Sequence, residues 1–382
     1  MHAPTIRPPS PRIARVAAKW TTWSRSMLVI MLPISTAIVL YRLSTLDSML
    51  QIPVHPNTRK LSSGLVHMEA IGVLELLGPE DLVYDPKKNV IYTGCANGEI
   101  KQFTINDDVS KTVIQSLAQT GGRPLGLALG KQGNLLVADA NKGLIDVNFN
   151  GTIKVLSIGA EGKIFKLVDG LDIANDGIIY FTDASYKYTL NEYILDILER
   201  MPYGRLMSYN PKTNVTKVLL HDLYFANGVT LMPNHKALIF CETSMARCSK
   251  YYIKGNKKGK VEKFVEDLPG LPDMIHYDKA EDLYWIALSM DVLGSRNASL
   301  ECATIGKNFA TMDRCRERLV PNGKRHGGIL VVDSRGETKT FYYDPELSFI
   351  TSVIRLKNYA YVGSSTYPYI LRLDLARYNT TN

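Results

Sequence analysis

No acidic residue precedes Asp47, whereas Arg7, Arg12, Arg15, Lys19 and Arg25 all lie before residue 27. The net charge of +8 is therefore largely the property of a tail, and it does not read as a nucleic-acid surface. Cysteine is scarce: Cys95, Cys241, Cys248, Cys302 and Cys315 show no CxxC zinc spacing, and five cannot all pair within one chain. The chain has no GxSxG elbow, no HExxH helix, no P-loop and no GxGxxG after a strand. These absences remove serine hydrolases of the elbow type, zincins, P-loop NTPases and Rossmann oxidoreductases.

What the sequence does have begins with WSRSMLVIMLPISTAIVLYRL, apolar from Met27 to Tyr41. That run is shorter than the roughly 20 residues of an ideal span, but Trp20, Trp23 and Tyr41 are placed for the two interfaces. The following YRLSTLDSMLQIP is a poor cleavage site, which favours an uncleaved anchor over a removed signal peptide or a buried helix. The expectation is a basic cytosolic tail (1–26), a transmembrane signal anchor (27–43), a linker (44–68), a folded domain (69–377) and a C-terminal tail (378–382). With the cations on the N-terminal side, this is a single-pass type II topology, its domain in the endoplasmic reticulum lumen or at the cell surface. The sequons at Asn150, Asn214, Asn297 and Asn379 all fall on that side. An oxidising compartment would let Cys302 and Cys315 close a short loop; the alternative is that all five cysteines are small buried apolar residues.

The domain is built from a repeat. A turn followed by a short apolar run rich in Tyr, Leu and Val returns six times, with Ile91, Leu136, Tyr180, Ile239, Trp285 and Tyr361 at equivalent positions. Spacings near 45 residues are those of propeller blades, and the apolar alternation has the period of sheet. The fold class expected is thus all-β, a six-bladed β-propeller, with a decorated β-sandwich as the alternative. Two spacings are longer. YTLNEYILDILERMPYG has Leu190, Tyr193, Ile194, Ile197 and Leu198 at helical spacing and predicts a short amphipathic helix. The second insertion, basic and polar, carries Cys302 and Cys315. Residues Glu69–Gly78 precede the first copy and are expected to complete the last blade.

Inner strands of a propeller end at its channel, so residues just ahead of successive copies share an axis. Glu80, Asp169, Asn227 and Asp273 occupy such places. Three carboxylates converging on one axis repel one another unless a cation neutralises them, and an all-oxygen set suits a hard divalent ion, calcium above all.

GPED, GRPLGLAL, LLVADANKGL, IYFTDAS, YGRLMSY, LYFANGV, LPGLPDMIHYD and YWIAL together resemble the strictosidine synthase-like proteins, and most of all their membrane-anchored animal branch. The resemblance covers about Glu69 to Leu375. It implies a six-bladed propeller related to paraoxonases and diisopropyl fluorophosphatase, which hydrolyse esters, lactones or phosphotriesters at an axial calcium. By that likeness Glu80, Asn227 and Asp273 match calcium ligands, and Asp169 replaces an asparagine ligand with a charged one. Met274 stands where many relatives have a further asparagine, and Leu125 where paraoxonases have a histidine of their proposed base. The glutamate of strictosidine synthase would fall within LSFITSVIRLKNYAY, which has no acidic residue, so Pictet-Spengler condensation is not expected.

The function expected is that of a calcium-dependent hydrolase of the arylesterase or lactonase type, acting on a small ester or lactone. Asp273 or Asp169 would serve as general base or carboxylate nucleophile beside the metal. The alternative is a non-enzymatic propeller that binds a protein or glycan on its loop face, its central ion structural. Asp139 and Asp183, which end inner-blade strands, read as turn or inter-blade hydrogen-bonding groups, and His221 and His276 lack a partner at metal spacing.

Overall fold

A computed structural model describes residues 58–60, 68–291, 327–343 and 347–378, together with the helical positions Met31, Pro33, Ser35 and Thr36. The chain divides into two units, Met1–Val54 and His55–Asn382. Most of the first, and with it the expected anchor, lies outside the described residues. Among the described residues no helix is long and apolar enough to cross a membrane. Asn297, Asn379, Cys302, Cys315 and the second insertion also lie outside them.

The second unit is the expected propeller. Six antiparallel sheets follow one another, with innermost strands Leu82–Asp85, Pro124–Leu129, Leu167–Ile173, Ala226–Leu231, Gly270–Asp278 and Ile350–Leu356. Each second strand is buried almost throughout, because both of its faces are covered by neighbouring blades. Ala237–Glu242, for example, is buried at every residue. Six apolar clusters fill the gaps between successive blades. The cluster between the sixth and first blades joins Ile71, Ile354, Tyr361 and Ile370 to Leu82, Ile91 and Phe103. Each such buried Leu, Ile or Phe contributes about 1.5–3 kcal/mol.

Ring closure follows the sequence expectation. Met68–Ile71 pairs antiparallel with Ile370–Asp374 and becomes the outermost strand of the sixth blade. Because the first and last segments share one sheet, the ring has no seam held by side chains alone. Thr58–Lys60, inside the stretch read as a linker, adds a parallel fifth strand to the outer edge of the fifth blade.

The first insertion is helical as its spacing predicts. Thr189 and Glu192 form a capping box at the turn Leu190–Glu192, which leads into the helix Tyr193–Glu199; Arg200 ends it in the left-handed region with φ 49°. Leu190, Tyr193 and Ile197 pack on Leu125 and Phe225. The helix thus lies beside the inner-strand segments that build the axis.

A cysteine pairing not read from the sequence appears in the fourth blade. Cys241 and Cys248 face each other on adjacent strands, their Cα atoms 4.0 Å apart, and form a disulfide. Cys95 is a buried free thiol, and burial pushes its pKa up to about 11, so it is an inert core residue.

Candidate metal centre on the channel axis

The inner strands share one irregularity. Strand pairing skips Leu125–Gly126 in the second blade, Asp169–Gly170 in the third, Asn227–Gly228 in the fourth and Asp273–Met274 in the fifth. A bulge frees a residue from the ladder and re-aims its side chain. These four positions are therefore structural equivalents, and the bulge carries each first residue toward the axis. Glu80 occupies the corresponding place before the first inner strand, and Thr351 the bulge of the sixth.

The glycines in the bulges have a steric reason. A Cβ on Gly126 would lie 2.3 Å from Asp169 O, one on Gly170 2.8 Å from Asn227 O, and one on Gly228 2.6 Å from Asp273 O. Gly363 keeps the same kind of clearance, 2.7 Å, from Glu80 O. Each blade thus leans on the backbone of the next site residue. This explains Asn227-Gly228 in FANGV: the asparagine supplies an oxygen, and the glycine lets the fifth blade approach.

Hydroxyls fix the same backbones. Thr182 Oγ1 donates to Asn227 O at 2.7 Å, Thr243 Oγ1 to Pro272 O at 2.7 Å, and Thr351 Oγ1 to Glu80 O at 2.7 Å. The Asn227 amide nitrogen donates to Thr243 Oγ1 at 3.2 Å, which sets the orientation of the amide. Its carbonyl oxygen, Oδ1, is buried with no hydrogen-bond partner. An orphaned buried oxygen of this kind costs about 1–3 kcal/mol unless a donor or a cation reaches it.

Electrostatics tie the four residues together. Burial raises the pKa of Asp169 well above the usual carboxylate range, and the charges of Glu80 and Asp81 raise it further. Burial does the same to Asp273, reinforced by Glu80 and Asp169 and partly offset by a hydrogen bond from Asn227. Glu80 is also raised, chiefly by burial, while Arg123 pulls it down. Such mutual repulsion in a dry site is what a divalent cation relieves.

Sequence reasoning did not find Arg123. Its guanidinium, itself buried, donates to Glu80 Oε2 at 2.5 Å and to Gly94 O at 3.4 Å. Among the described residues, no three His, Cys, Asp or Glu side chains form a ready-made metal site. The amide of Asn227 is not among those side-chain types, and Glu80 is engaged by Arg123. The donor set nevertheless fits a hard cation: one unsatisfied amide oxygen and the carboxylates of Asp169, Asp273 and Glu80. Met274, next to Asp273, is buried and offers no oxygen.

A second polar cluster links four blades. Asp81 Oδ1 accepts from Leu82 N at 2.8 Å and from Ser352 Oγ at 2.8 Å, and lies 2.8 Å from His276 Nε2. Asp81 Oδ2 accepts from Leu127 N at 2.9 Å. Burial opposes charge on His276, but Asp81, with Asp172 behind it, holds its pKa above the ordinary histidine value. The trio has the composition of a hydrolytic triad without the geometry, since one ring nitrogen faces both partners and the serine hydroxyl donates to the aspartate. His276 is thus a half-buried structural partner, in keeping with its lack of a metal-spaced neighbour.

Asp139 and Asp183 are hydrogen-bonding groups, as their positions suggested. Asp139 Oδ1 accepts from the backbone N–H groups of Arg123, Asn141 and Lys142. Asp183 accepts from Leu167 N and holds Arg205 in a buried ion pair at 2.5 Å. His221 is surface-exposed, 3.4 Å from Glu161. The sequon residues Asn150 and Asn214 are both exposed at turns.

A six-bladed propeller with acidic and amide groups in its axial bulges defines the class. The strictosidine synthase family model matches residues 169–256, and the strictosidine synthase-like N-terminal model matches residues 62–103. Protein STRICTOSIDINE SYNTHASE-LIKE 7 of Arabidopsis thaliana is 43% identical over 94% of this chain and 98% of its own. The adipocyte plasma membrane-associated protein of Mus musculus is 31% identical over 84% of this chain and 80% of its own. The chain belongs to the strictosidine synthase-like family. Within it, the Arabidopsis relative is nearer by identity than the animal branch its motifs suggested.

Solved structures share the fold. The gluconolactonase XC5397 of Xanthomonas campestris superposes with a TM-score of 0.58 at 14% identity, over 84% of this chain and 98% of that one. Regucalcin of Agrobacterium tumefaciens, described as calcium-binding, gives 0.53 at 13%, over 79% and 92%.

Proposed function

We propose that this protein is a membrane-anchored, calcium-dependent hydrolase of small esters or lactones, with Glu80, Asp169, Asn227 and Asp273 holding the ion. The observation that carries the reading is the orphaned Asn227 Oδ1 among carboxylates that raise one another's pKa. When bound, the cation supplies a Lewis acid for the ester carbonyl. The chain's own contribution is to hold that carbonyl against the axial bulges, while Asp273 or Asp169 takes a proton from water or attacks as a carboxylate nucleophile. The helix Tyr193–Glu199 and the apolar Leu125 and Phe225 beside it favour an apolar acyl or aryl group at the mouth. Solved relatives of the same fold that are named as a gluconolactonase and a calcium-binding protein are in line with this chemistry. The acid-free inner strand Ile350–Leu356 argues against strictosidine synthesis.

For placement, we propose the cytosolic tail 1–26, anchor 27–43 and linker 44–68 ahead of a lumenal or cell-surface propeller (69–377) and tail (378–382). The Cys241–Cys248 disulfide and the exposed sequon residues Asn150 and Asn214 support that side of the membrane. A relative's name, adipocyte plasma membrane-associated protein, agrees with it.

The Arg123–Glu80 ion pair favours a second reading, a propeller that binds a protein or glycan and whose axis is purely structural. Aryl-ester and lactone hydrolysis by the full-length protein separates the two. Turnover that stops with a chelator, returns with calcium and is lost in Asp273→Asn supports the enzyme; its absence across the panel, with the protein folded, leaves the scaffold.

A further inference from the structure

The hydrolytic reading leaves Arg123 without a task, although its placement is tightly determined. Its backbone N–H donates to Asp139 Oδ1 at 3.0 Å and its carbonyl accepts from Ala140 N at 2.9 Å. Glu80 is fixed from its own side, its N–H on Gly94 O at 3.0 Å and its carbonyl on Thr351 Oγ1 at 2.7 Å. With both backbones held, the side chains alone decide what the Glu80 carboxylate meets.

Two candidates need the same carboxylate. Glu80 Oε2 receives the guanidinium at 2.5 Å, and a hard cation gathering Asp169, Asn227 Oδ1 and Asp273 needs a Glu80 oxygen to complete its set. A guanidinium and a divalent ion cannot share one carboxylate at close range in a buried site without strong repulsion. Arg123 is also felt beyond Glu80, since its charge acts on Asp169.

We propose that Arg123 is an internal competitor for the axial cation: it occupies the Glu80 carboxylate that the ion needs, and ion binding requires the guanidinium to leave it. The proposal rests on the cation-centred reading given above. It makes the affinity of this chain for calcium lower than its oxygen donors alone would set, and it makes Arg123 a positioning residue that acts through Glu80. Removing Arg123 leaves Glu80 buried and unpaired, a destabilising state that a bound cation repairs.

The test is calorimetric titration of the full-length protein with calcium chloride alone, for the wild type, Arg123→Met, Glu80→Gln and the double variant. We expect Arg123→Met to bind calcium at least tenfold more tightly than the wild type and to show a larger calcium-induced rise in melting temperature. The gain should vanish when Glu80→Gln is added. Equal or weaker binding by Arg123→Met overturns the proposal, as does a gain that survives intact in the double variant, because Arg123 would then be acting as a distant charge. Should Arg123→Met not fold, Arg123→Gln keeps a hydrogen-bond donor for Glu80 without the charge and carries the same expectation. If neither the wild type nor any Arg123 variant binds calcium, the cation-centred reading itself fails. Wild-type binding that Arg123 variants leave unchanged refutes the competition alone.

Discussion

Gly228 is the most direct place to perturb the axis, because its substitution touches geometry and leaves every charge in place. A Cβ there would lie 2.6 Å from Asp273 O, 2.7 Å from Ile275 N and 2.7 Å from Met274 Cα, all backbone of the neighbouring blade. No flexible side chain is available to yield, so the fourth and fifth inner strands must separate. Overpacking of this kind costs about 3 kcal/mol, the upper part of its usual range. For a propeller of this size the unfolding entropy is roughly 0.65 kcal/mol/K, so Gly228→Ala should lower Tm by about 5 °C. Gly162 is the matched control. Its Cβ would meet nothing within 4 Å, and only its φ of +74° opposes alanine. That backbone strain is worth about 1 kcal/mol, so Gly162→Ala should lose under 2 °C. Thermal unfolding by calorimetry at several scan rates measures both. A Gly228→Ala loss no greater than that of Gly162→Ala would refute the close approach of the inner strands on which the site geometry depends.

Asp196, on the buried face of the helix Tyr193–Glu199, gives a pH prediction. Its oxygens lack well-formed hydrogen bonds, and burial pushes its pKa up to about 7, with partial relief from the Ser185 hydroxyl. Glu199 and Asp183 add like charge and Lys187 opposes them. The folded chain therefore holds this proton more tightly than the unfolded one, whose carboxyl titrates near 3.8. The stabilisation is complete below that value and is lost as pH rises through about 7, with a ceiling of about 4 kcal/mol. Asp196→Asn should match the wild type near pH 4 and exceed it in Tm at pH 8; equal pH profiles would show that the carboxyl is not buried as described. Asp273→Asn, whose parent carboxyl has its pKa raised by burial and like charge, should melt higher than the wild type in chelator at neutral pH and respond less to calcium. A wild-type-sized calcium response in that variant would remove Asp273 from the ligand set.

Local patterns carried most of the fold. Six turn-and-strand copies and the helical spacing of Leu190, Tyr193, Ile194 and Ile197 are periodic signals, and both reappear in the structure together with the closing segment near Glu69. The axial positions were legible for the same reason: Asp169, Asn227 and Asp273 hold one place in successive repeats, and the shared bulge is its structural cause. Non-local pairings carried no such signal. Arg123 meets Glu80 across 43 residues, between the first two blades, and Asp81 meets Ser352 across 271, a contact that only ring closure creates. Cys241–Cys248 is different, because two cysteines on successive strands flanking a short turn are a readable hairpin pair.

The central question is whether the axial oxygens hold a cation. A crystal structure of the protein grown with calcium, with anomalous data locating the ion, answers this directly. We expect one ion on the channel axis bonded to Asn227 Oδ1, Asp169 and Asp273, with Glu80 turned from Arg123 toward it. A calcium-saturated crystal in which Asn227 Oδ1 contacts only protein or water, and Arg123 remains on Glu80, would contradict it.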